Sequence, residues 1–424
     1  MLALVIALLG TLAFVNRRVA GTLLYPPAMF AALWAIYLSL YAVSGSLFFA
    51  IGDDTLFFYA WCVCAFSAGG YVVLLLSRHR RTQNFTPEIT DQRRRRIHLF
   101  LDLLLLVLIV GLPFYVRYIL SLISDTGLVG FFITIRAKMV ELSDEMLDTV
   151  SFMDNLAVLA NVVPLLVYYE DDGTRARRWR TWLSLVLALV YNLLTAGRAG
   201  FVSLILSLFA LHWLKEKKPN WKVITALALA FVITFAAIAI LVRKGDVDKN
   251  ASFVENLPAV ADGFLWYALG GLVGFDTIYH HPTQIEANQN LDRYFRVIAK
   301  KFDNRIEVPP VHSEYVTIGP GGNMNVYTAY FSYYPQLGFF GTTLVLLLLG
   351  AFLVWTFLAA QSRNPQAAIL FSVLFAGLVL TGYAENLLLN LNFLAKMFFV
   401  TWLMYRFRFQ LRTLHYAAST ATLA

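Results

Sequence analysis

Charge is what this sequence has least of for its length. Only 14% of its 424 residues are Asp, Glu, Lys or Arg, where a soluble domain uses about a quarter to cover its surface. That shortage excludes a water-dressed globular chain of this size. Cysteine is nearly absent: Cys62 and Cys64 are the only two, two positions apart in an apolar run. On a helix they point away from each other, which rules against a disulfide framework and reads both thiols as inert. There is no P-loop, no dinucleotide glycine fingerprint, no H-E-x-x-H and no Cys/His cluster. These gaps weigh against nucleotide-driven transport and zinc chemistry, and the sequence implies neither a metal nor a cofactor. No leader with a small-residue cleavage site is visible, so the first apolar stretch reads as a retained helix. Internal repeats are missing too, which weighs against an inverted-repeat transporter.

What fills the chain instead is apolar. Hydrophobic residues make up 59% and mean hydropathy is +0.65. A helix needs about 20 apolar residues to cross the hydrocarbon, and the runs predict about eleven spans in an all-α polytopic membrane protein. They are Leu2 to Val15, Pro27 to Ala50, Leu56 to Ser77, Leu99 to Tyr118, Phe152 to Tyr169 and Trp182 to Thr195. Ala199 to Leu214, Val223 to Val242, Gln336 to Ala359, Ala367 to Gly382 and Leu391 to Tyr405 complete the set. The net charge of +8 does not point to nucleic acid, because the Lys and Arg residues sit in short clusters on alternate connections. Arg17 and Arg18, the stretch from Arg78 to Arg96, Arg175 to Arg180, Lys215 to Lys222, Arg363 and Arg406 to Arg412 are those clusters. The positive-inside rule places them, and the C-terminus, in the cytoplasm.

Three parts follow: residues 1–242 with eight spans, residues 243–335 as a large outer loop, and residues 336–424 with three spans and a cytoplasmic tail. The loop is too long and too aromatic for a mere turn and reads as a small folded cap.

The candidate chemistry lies on the outer side. Thr195-Ala196-Gly197-Arg198-Ala199-Gly200 joins two apolar segments of about 15 residues, which climb roughly 22 Å and fall short of the core thickness of roughly 30 Å. Arg198 is then held at or below the headgroups, where an arginine binds something or snorkels. Arg243 and Lys244 close the eighth span on the same side, and Arg136 and Lys138 lie in the first outer loop. Such cations clamp a diphosphate well, because guanidinium forks match phosphate oxygens and stabilise the charge of a departing diphosphate. His280-His281-Pro282 reads as a surface turn, since adjacent histidines do not easily share a metal. His312 and Glu314 precede Gly319-Pro320-Gly321-Gly322-Asn323, a flexible turn with amides free for an anion or a plain structural turn. Asp262 and Asp276 are carboxylates able to polarise a sugar hydroxyl. Glu385, with Asn386, Asn390 and Asn392, puts polar groups at membrane level between the last two spans.

Asn325-Val326-Tyr327-Thr328 and then Gly338-Phe339-Phe340-Gly341 lead from the large loop into an apolar helix. This run resembles the bacterial O-antigen and oligosaccharide repeat-unit polymerases (Wzy type), as do the Gly197-Arg198-Ala199 turn and the arginine before the loop, Arg243. The span pattern is similar over most of the chain; the sequence likeness covers only these short stretches. The resemblance implies a C-type glycosyltransferase-like fold with a periplasmic loop, in the bacterial inner membrane. It implies undecaprenyl-diphosphate-linked glycan as donor and acceptor, and a chain-length regulator as a partner. Arg198 and Arg243 would stabilise the leaving diphosphate; Arg136, Lys244, Asp276, Asn325, Tyr327 and Glu385 would bind substrate. Related ligases carry a histidine just before the asparagine of the motif. Here Met324 stands there, which favours polymerase over ligase and leaves His312, Glu314 and Asp276 as stand-ins for a base. A flippase for the same lipid-linked glycans and an O-antigen ligase are the alternatives.

Overall fold

The computed structural model describes residues 1–78, 91–121, 152–171, 173–194, 198–216, 257–281, 290–300, 302–308, 315–320, 322–362, 364–385 and 393–405, and isolated positions 222, 225, 229, 255 and 387. The fold is a bundle of apolar helices embedded in a membrane. Six of the described helices are long and apolar enough to cross it: α1 (Leu2–Ala20), α2 (Pro26–Val43), α3 (Asp53–Arg78), α4 (Asp91–Ser121), α10 (Tyr334–Gln361) and α11 (Pro365–Val379), which a 3-10 turn extends to Gly382. Between α4 and α10 come α5 (Phe152–Glu170), α6 (Arg175–Leu194), α7 (Arg198–Glu216), α8 (Leu257–His280) and α9 (Asn290–Lys300). A short apolar helix, α12 (Phe393–Tyr405), follows α11.

Local chemistry sets several boundaries. Gly21, at φ 71°, closes α1 by donating its N–H to the Arg17 carbonyl, and Arg17 and Arg18 suit the negative end of the helix dipole. Asn364 caps α11, its side chain accepting from the Gln366 and Ala367 amides with Pro365 in the first turn. Gly338 stands inside α10 at φ 60°, ψ −165°, a region almost closed to side-chain-bearing residues, and kinks the helix there.

The tightest seam joins α3 to α10. A Cβ added at Gly69 would lie 1.8 Å from the Leu347 carbonyl oxygen, and one at Gly350 would lie 1.9 Å from the Phe66 carbonyl oxygen. The two backbones therefore touch through reciprocal glycines, the way membrane helices gain packing where the solvent offers no hydrophobic drive. Outward, α3 and α10 present Phe57, Trp61 and Phe340 to the surroundings, and the Trp61 indole N–H donates to Thr343 Oγ1 at 3.0 Å.

Helix ends gather at two poles. At one pole Arg180 pairs with Asp102 at 2.7 Å, the Tyr405 hydroxyl donates to Glu170 at 2.8 Å, and Lys215 donates to the Tyr168 carbonyl at 3.1 Å and to that of Asp171. At the other, the amino terminus lies 4.0 Å from Asp53 and a β-hairpin, β1 (Val316–Gly319) with β2 (Gly322–Met324), closes the surface.

Two expectations need correction. The helices flanking Arg198 are not short: α6 has 20 residues and α7 has 19, about 30 Å and 28 Å of rise. The basic residues taken as boundaries lie within the helices, where Arg180 is neutralised by Asp102. The second span ends at Val43, because Ser44-Gly45-Ser46 breaks it into a 3-10 turn and Phe48 is extended; the Phe49 N–H donates to the Ile318 carbonyl at 2.9 Å. Of the two readings of the glycine-rich run, the pairing of Gly319 with Gly322 across the hairpin fits the plain structural turn. A Cβ there would strike the Leu47 carbonyl at 2.2 Å or the Trp266 ring at 2.3 Å.

Candidate functional site

The hairpin pole brings together segments far apart in sequence. Tyr41 ties down the connection after α2, its hydroxyl donating to the Phe49 carbonyl at 2.8 Å and accepting from the Ile51 amide at 2.9 Å. The next amide, Gly52, donates to Asp276 Oδ1 at 3.1 Å. This connection delivers Asp53 and Asp54 to the first turn of α3, where acidic residues suit the positive helix end.

Against that end sits the last residue of α8, His280. Its Nδ1 lies 2.9 Å from the Asp276 carbonyl oxygen, and its Nε2 lies 3.0 Å from both carboxylate oxygens of Asp54. A carbonyl only accepts, so Nδ1 carries a proton and the remaining proton lies between Nε2 and Asp54. His280 holds its proton above the usual imidazole range, chiefly through the bond to the Asp276 carbonyl; partial burial opposes this, and the Asp276 and Asp54 charges add to it. With both ring nitrogens engaged, His280 offers no lone pair to a metal. Among the described residues no group of three or more His, Cys, Asp and Glu is placed to hold one. Beside the cluster the Tyr279 and Tyr334 rings stack with centroids 4.9 Å apart.

The Asn325–Thr328 segment leads from β2 into a 3-10 turn (Ala329–Ser332) at the heart of this pole. Tyr330 is fully buried, its ring stacked on Trp34 at 4.8 Å and on Tyr59 at 5.8 Å, with Phe58 and Phe275 edge-on. The Tyr59 hydroxyl donates to the Leu272 carbonyl at 2.7 Å, locking α3 to α8. The helix and hairpin of the large loop are thus built into the bundle rather than perched above it. Tyr333 and Tyr334 then diverge. Tyr334 joins Tyr279, whereas the Tyr333 hydroxyl donates to Glu385 Oε1 at 2.8 Å, an oxygen that also accepts from the Leu387 amide at 3.0 Å. Burial first, and then the Glu385 charge, hold the Tyr333 phenol well above its ordinary value.

A third polar feature marks the start of α7. Asn192 Nδ2 donates to Asn161 Oδ1 at 2.9 Å and to the Ala188 carbonyl at 2.8 Å, and Asn161 Nδ2 donates to the Ala157 carbonyl at 3.0 Å. A Cβ at Gly200 would lie 2.4 Å from Asn192 Oδ1. The amide pair therefore abuts the backbone two residues beyond Arg198, where any side chain would push it off.

Of the residues singled out from sequence, Asp276 and Glu385 each anchor a cluster. Asn325 is half-buried, and Tyr327 is buried with its ring 4.5 Å from that of Phe331, a packing position. Asp262 is exposed on α8. Arg198 opens α7, and its side chain lies outside the described set. Arg136, Lys138, Arg243, Lys244, His312, Glu314, Asn386, Asn390 and Asn392 lie outside the described residues altogether. Sequence reasoning passed over Asp54 and dismissed His280, because their meeting spans 226 positions and no local spacing announces it. The one signal was Asp53-Asp54 opening an apolar run. Both thiols are free, Cys62 buried and Cys64 half-buried on the same helix. No protein-family model, characterised protein or solved structure matches this chain.

Proposed function

We propose that this protein polymerises undecaprenyl-diphosphate-linked oligosaccharide repeat units at the outer face of a bacterial inner membrane. In this reading it is a Wzy-type enzyme with eleven spans, a C-type glycosyltransferase-like fold and a cytoplasmic C-terminus. The spans are α1 to α7, one within residues 223–242, and α10 to α12. One observation carries the proposal: the segment that resembles the polymerase motif runs between two carboxylate-centred clusters, Asp54–His280–Asp276 and Glu385–Tyr333. Both lie at the pole away from Arg180 and Lys215. A carboxylate beside half-buried tyrosines, as Asp54 is beside Tyr279 and Tyr334, is the kind of group that holds sugar hydroxyls next to a ring that stacks on a sugar face.

The reaction is attack by a hydroxyl of one lipid-linked repeat on the anomeric carbon of another glycan, with undecaprenyl diphosphate departing. Arg198 and Arg243 stabilise the departing charge, which needs neither nucleotide sugar nor metal. The test is incubation of purified protein with lipid-diphosphate repeat units. A ladder of longer glycans is expected; unchanged glycan moved to the opposite leaflet of a vesicle would instead identify a flippase. Losing one preorganised guanidinium costs about 3 kcal/mol, so Arg198→Ala should slow the ladder about a hundredfold. Arg198→Lys should recover part of that, because an ammonium cannot pair two oxygens side by side. Full activity in Arg198→Ala would move the diphosphate site elsewhere.

A further inference from the structure

We propose that Asp54 takes the proton of the attacking hydroxyl in this polymerisation, with the Tyr279–Tyr334 stack seating the acceptor sugar. The inference rests on the polymerase reading and adds to it the base that no local motif supplies. Among the described residues, three properties single out Asp54.

Access is the first. The Asp54 side chain is 57% exposed, whereas Asp276 is 16% exposed and its Oδ1 is taken by the Gly52 amide. The corresponding oxygen of Glu385 already accepts from Tyr333 and Leu387.

Orientation is the second. The Thr55 amide donates to Oδ1 at 3.0 Å, and His280 spans both oxygens at 3.0 Å. The carboxylate is thereby held at one angle, with the outward lone pairs left for a hydroxyl. His280 is itself fixed from behind by the Asp276 carbonyl. A base held by a second group that is in turn oriented by a third is the arrangement proton transfer needs. His280 cannot act directly, because neither ring nitrogen is open.

Neighbourhood is the third. The ring of Tyr279 lies 5.5 Å from that of His280 and 4.9 Å from that of Tyr334. An aromatic face next to an oriented carboxylate matches a sugar ring, which is apolar on its C–H face and hydroxylated at its edge. Among the described residues, the charged or titratable groups facing the site are His280 and Asp276 from α8, Tyr279 beside them, Tyr334 from α10, and the amino terminus through Asp53.

The step balances. The acceptor O–H gives its proton to an Asp54 oxygen while its oxygen bonds to the donor's anomeric carbon. The bond from that carbon to the diphosphate oxygen breaks, and the electron pair leaves with undecaprenyl diphosphate. Asp54 then returns the proton to water.

The experiment uses the full-length protein in detergent with lipid-diphosphate repeat units, read as kcat and KM per folded protein. Wild type is read first: no ladder there overturns the polymerase reading itself. With a wild-type ladder, Asp54→Asn should lower kcat at least about a hundredfold and leave KM within about threefold. Asp54→Ala should regain at least tenfold when sodium formate supplies a free carboxylate, a recovery that a structural role would not produce. A kcat in Asp54→Asn within threefold of wild type, or an Asp54→Ala loss that formate leaves untouched, overturns the assignment of Asp54 while the polymerase reading stands.

Discussion

A methyl group added at Gly350 tests the α3–α10 seam. Its carbon would lie 1.9 Å from the Phe66 carbonyl oxygen, where ordinary contact begins at 3.4 Å. The acceptor is backbone, so no side chain can swing aside, and the helices must part by roughly 1.5 Å. Overpacking costs about 1–3 kcal/mol, and a gap of about 1 Å forfeits up to half of the dispersion energy along the opened seam. Replacing glycine by alanine inside a helix returns about 1 kcal/mol. The net is a loss of about 2 kcal/mol or more, which for a chain of this length lowers Tm by at least about 2 °C. The assay is thermal unfolding of the detergent-solubilised protein, with Gly10→Ala as control, since nothing lies within 4 Å of a Cβ there. Gly10→Ala should match or exceed wild type. Gly69→Ala should resemble Gly350→Ala, and the double variant should cost less than the sum, because one methyl already opens the seam for the other. A Gly350→Ala Tm at or above that of Gly10→Ala would refute the backbone contact.

Two further outcomes are expected. His280 has a raised proton affinity in the fold, so its contribution is complete below its ordinary value of 6.5 and fades as pH rises through the higher folded value. The stability gap between wild type and His280→Gln should be present at about pH 5.5, stay below about 1 kcal/mol for so exposed a pair, and close at high pH; a gap that widens with pH contradicts the geometry. Cysteines placed at the exposed positions Gln92 and Asn304, with Cys62 and Cys64 replaced by Ala, should react differently with an impermeant maleimide on spheroplasts. Labelling at 304 alone agrees with arginine clusters inside, and equal labelling of both refutes it.

The apolar runs were legible because a membrane forces about 20 consecutive residues to agree; α1, α3 and α5 start within three residues of expectation. Helix ends were not, because hydropathy cannot see that a charged residue stays helical. Asp91 to Arg96 open α4, and Arg175 to Arg180 open α6. The run through Leu47, Phe48 and Phe49 looked like more span; Leu47 instead ends a 3-10 turn and the Phe49 N–H meets the carbonyl of Ile318, some 270 positions away. At the candidate site, Asp276 stood out as a carboxylate able to polarise a sugar hydroxyl and Glu385 as one at membrane level beside asparagines. Their partners Gly52, Tyr333 and Leu387 are ordinary residues that only the fold makes specific.

The reciprocal glycines also set a timetable for making the protein. Gly69 and Gly350 are about 280 positions apart, so at about 5–20 residues per second α3 waits roughly 15–55 s in the bilayer before α10 exists to meet it. Over that interval its small-residue groove, and the Trp34–Tyr59 face that Tyr330 later covers, are open to lipid and to other nascent helices. The early half-bundle waits until the last fifth of the chain arrives. A ribosome that stops before residue 334 leaves behind a membrane protein with its central seam unfilled, the kind of product that quality-control proteases recognise.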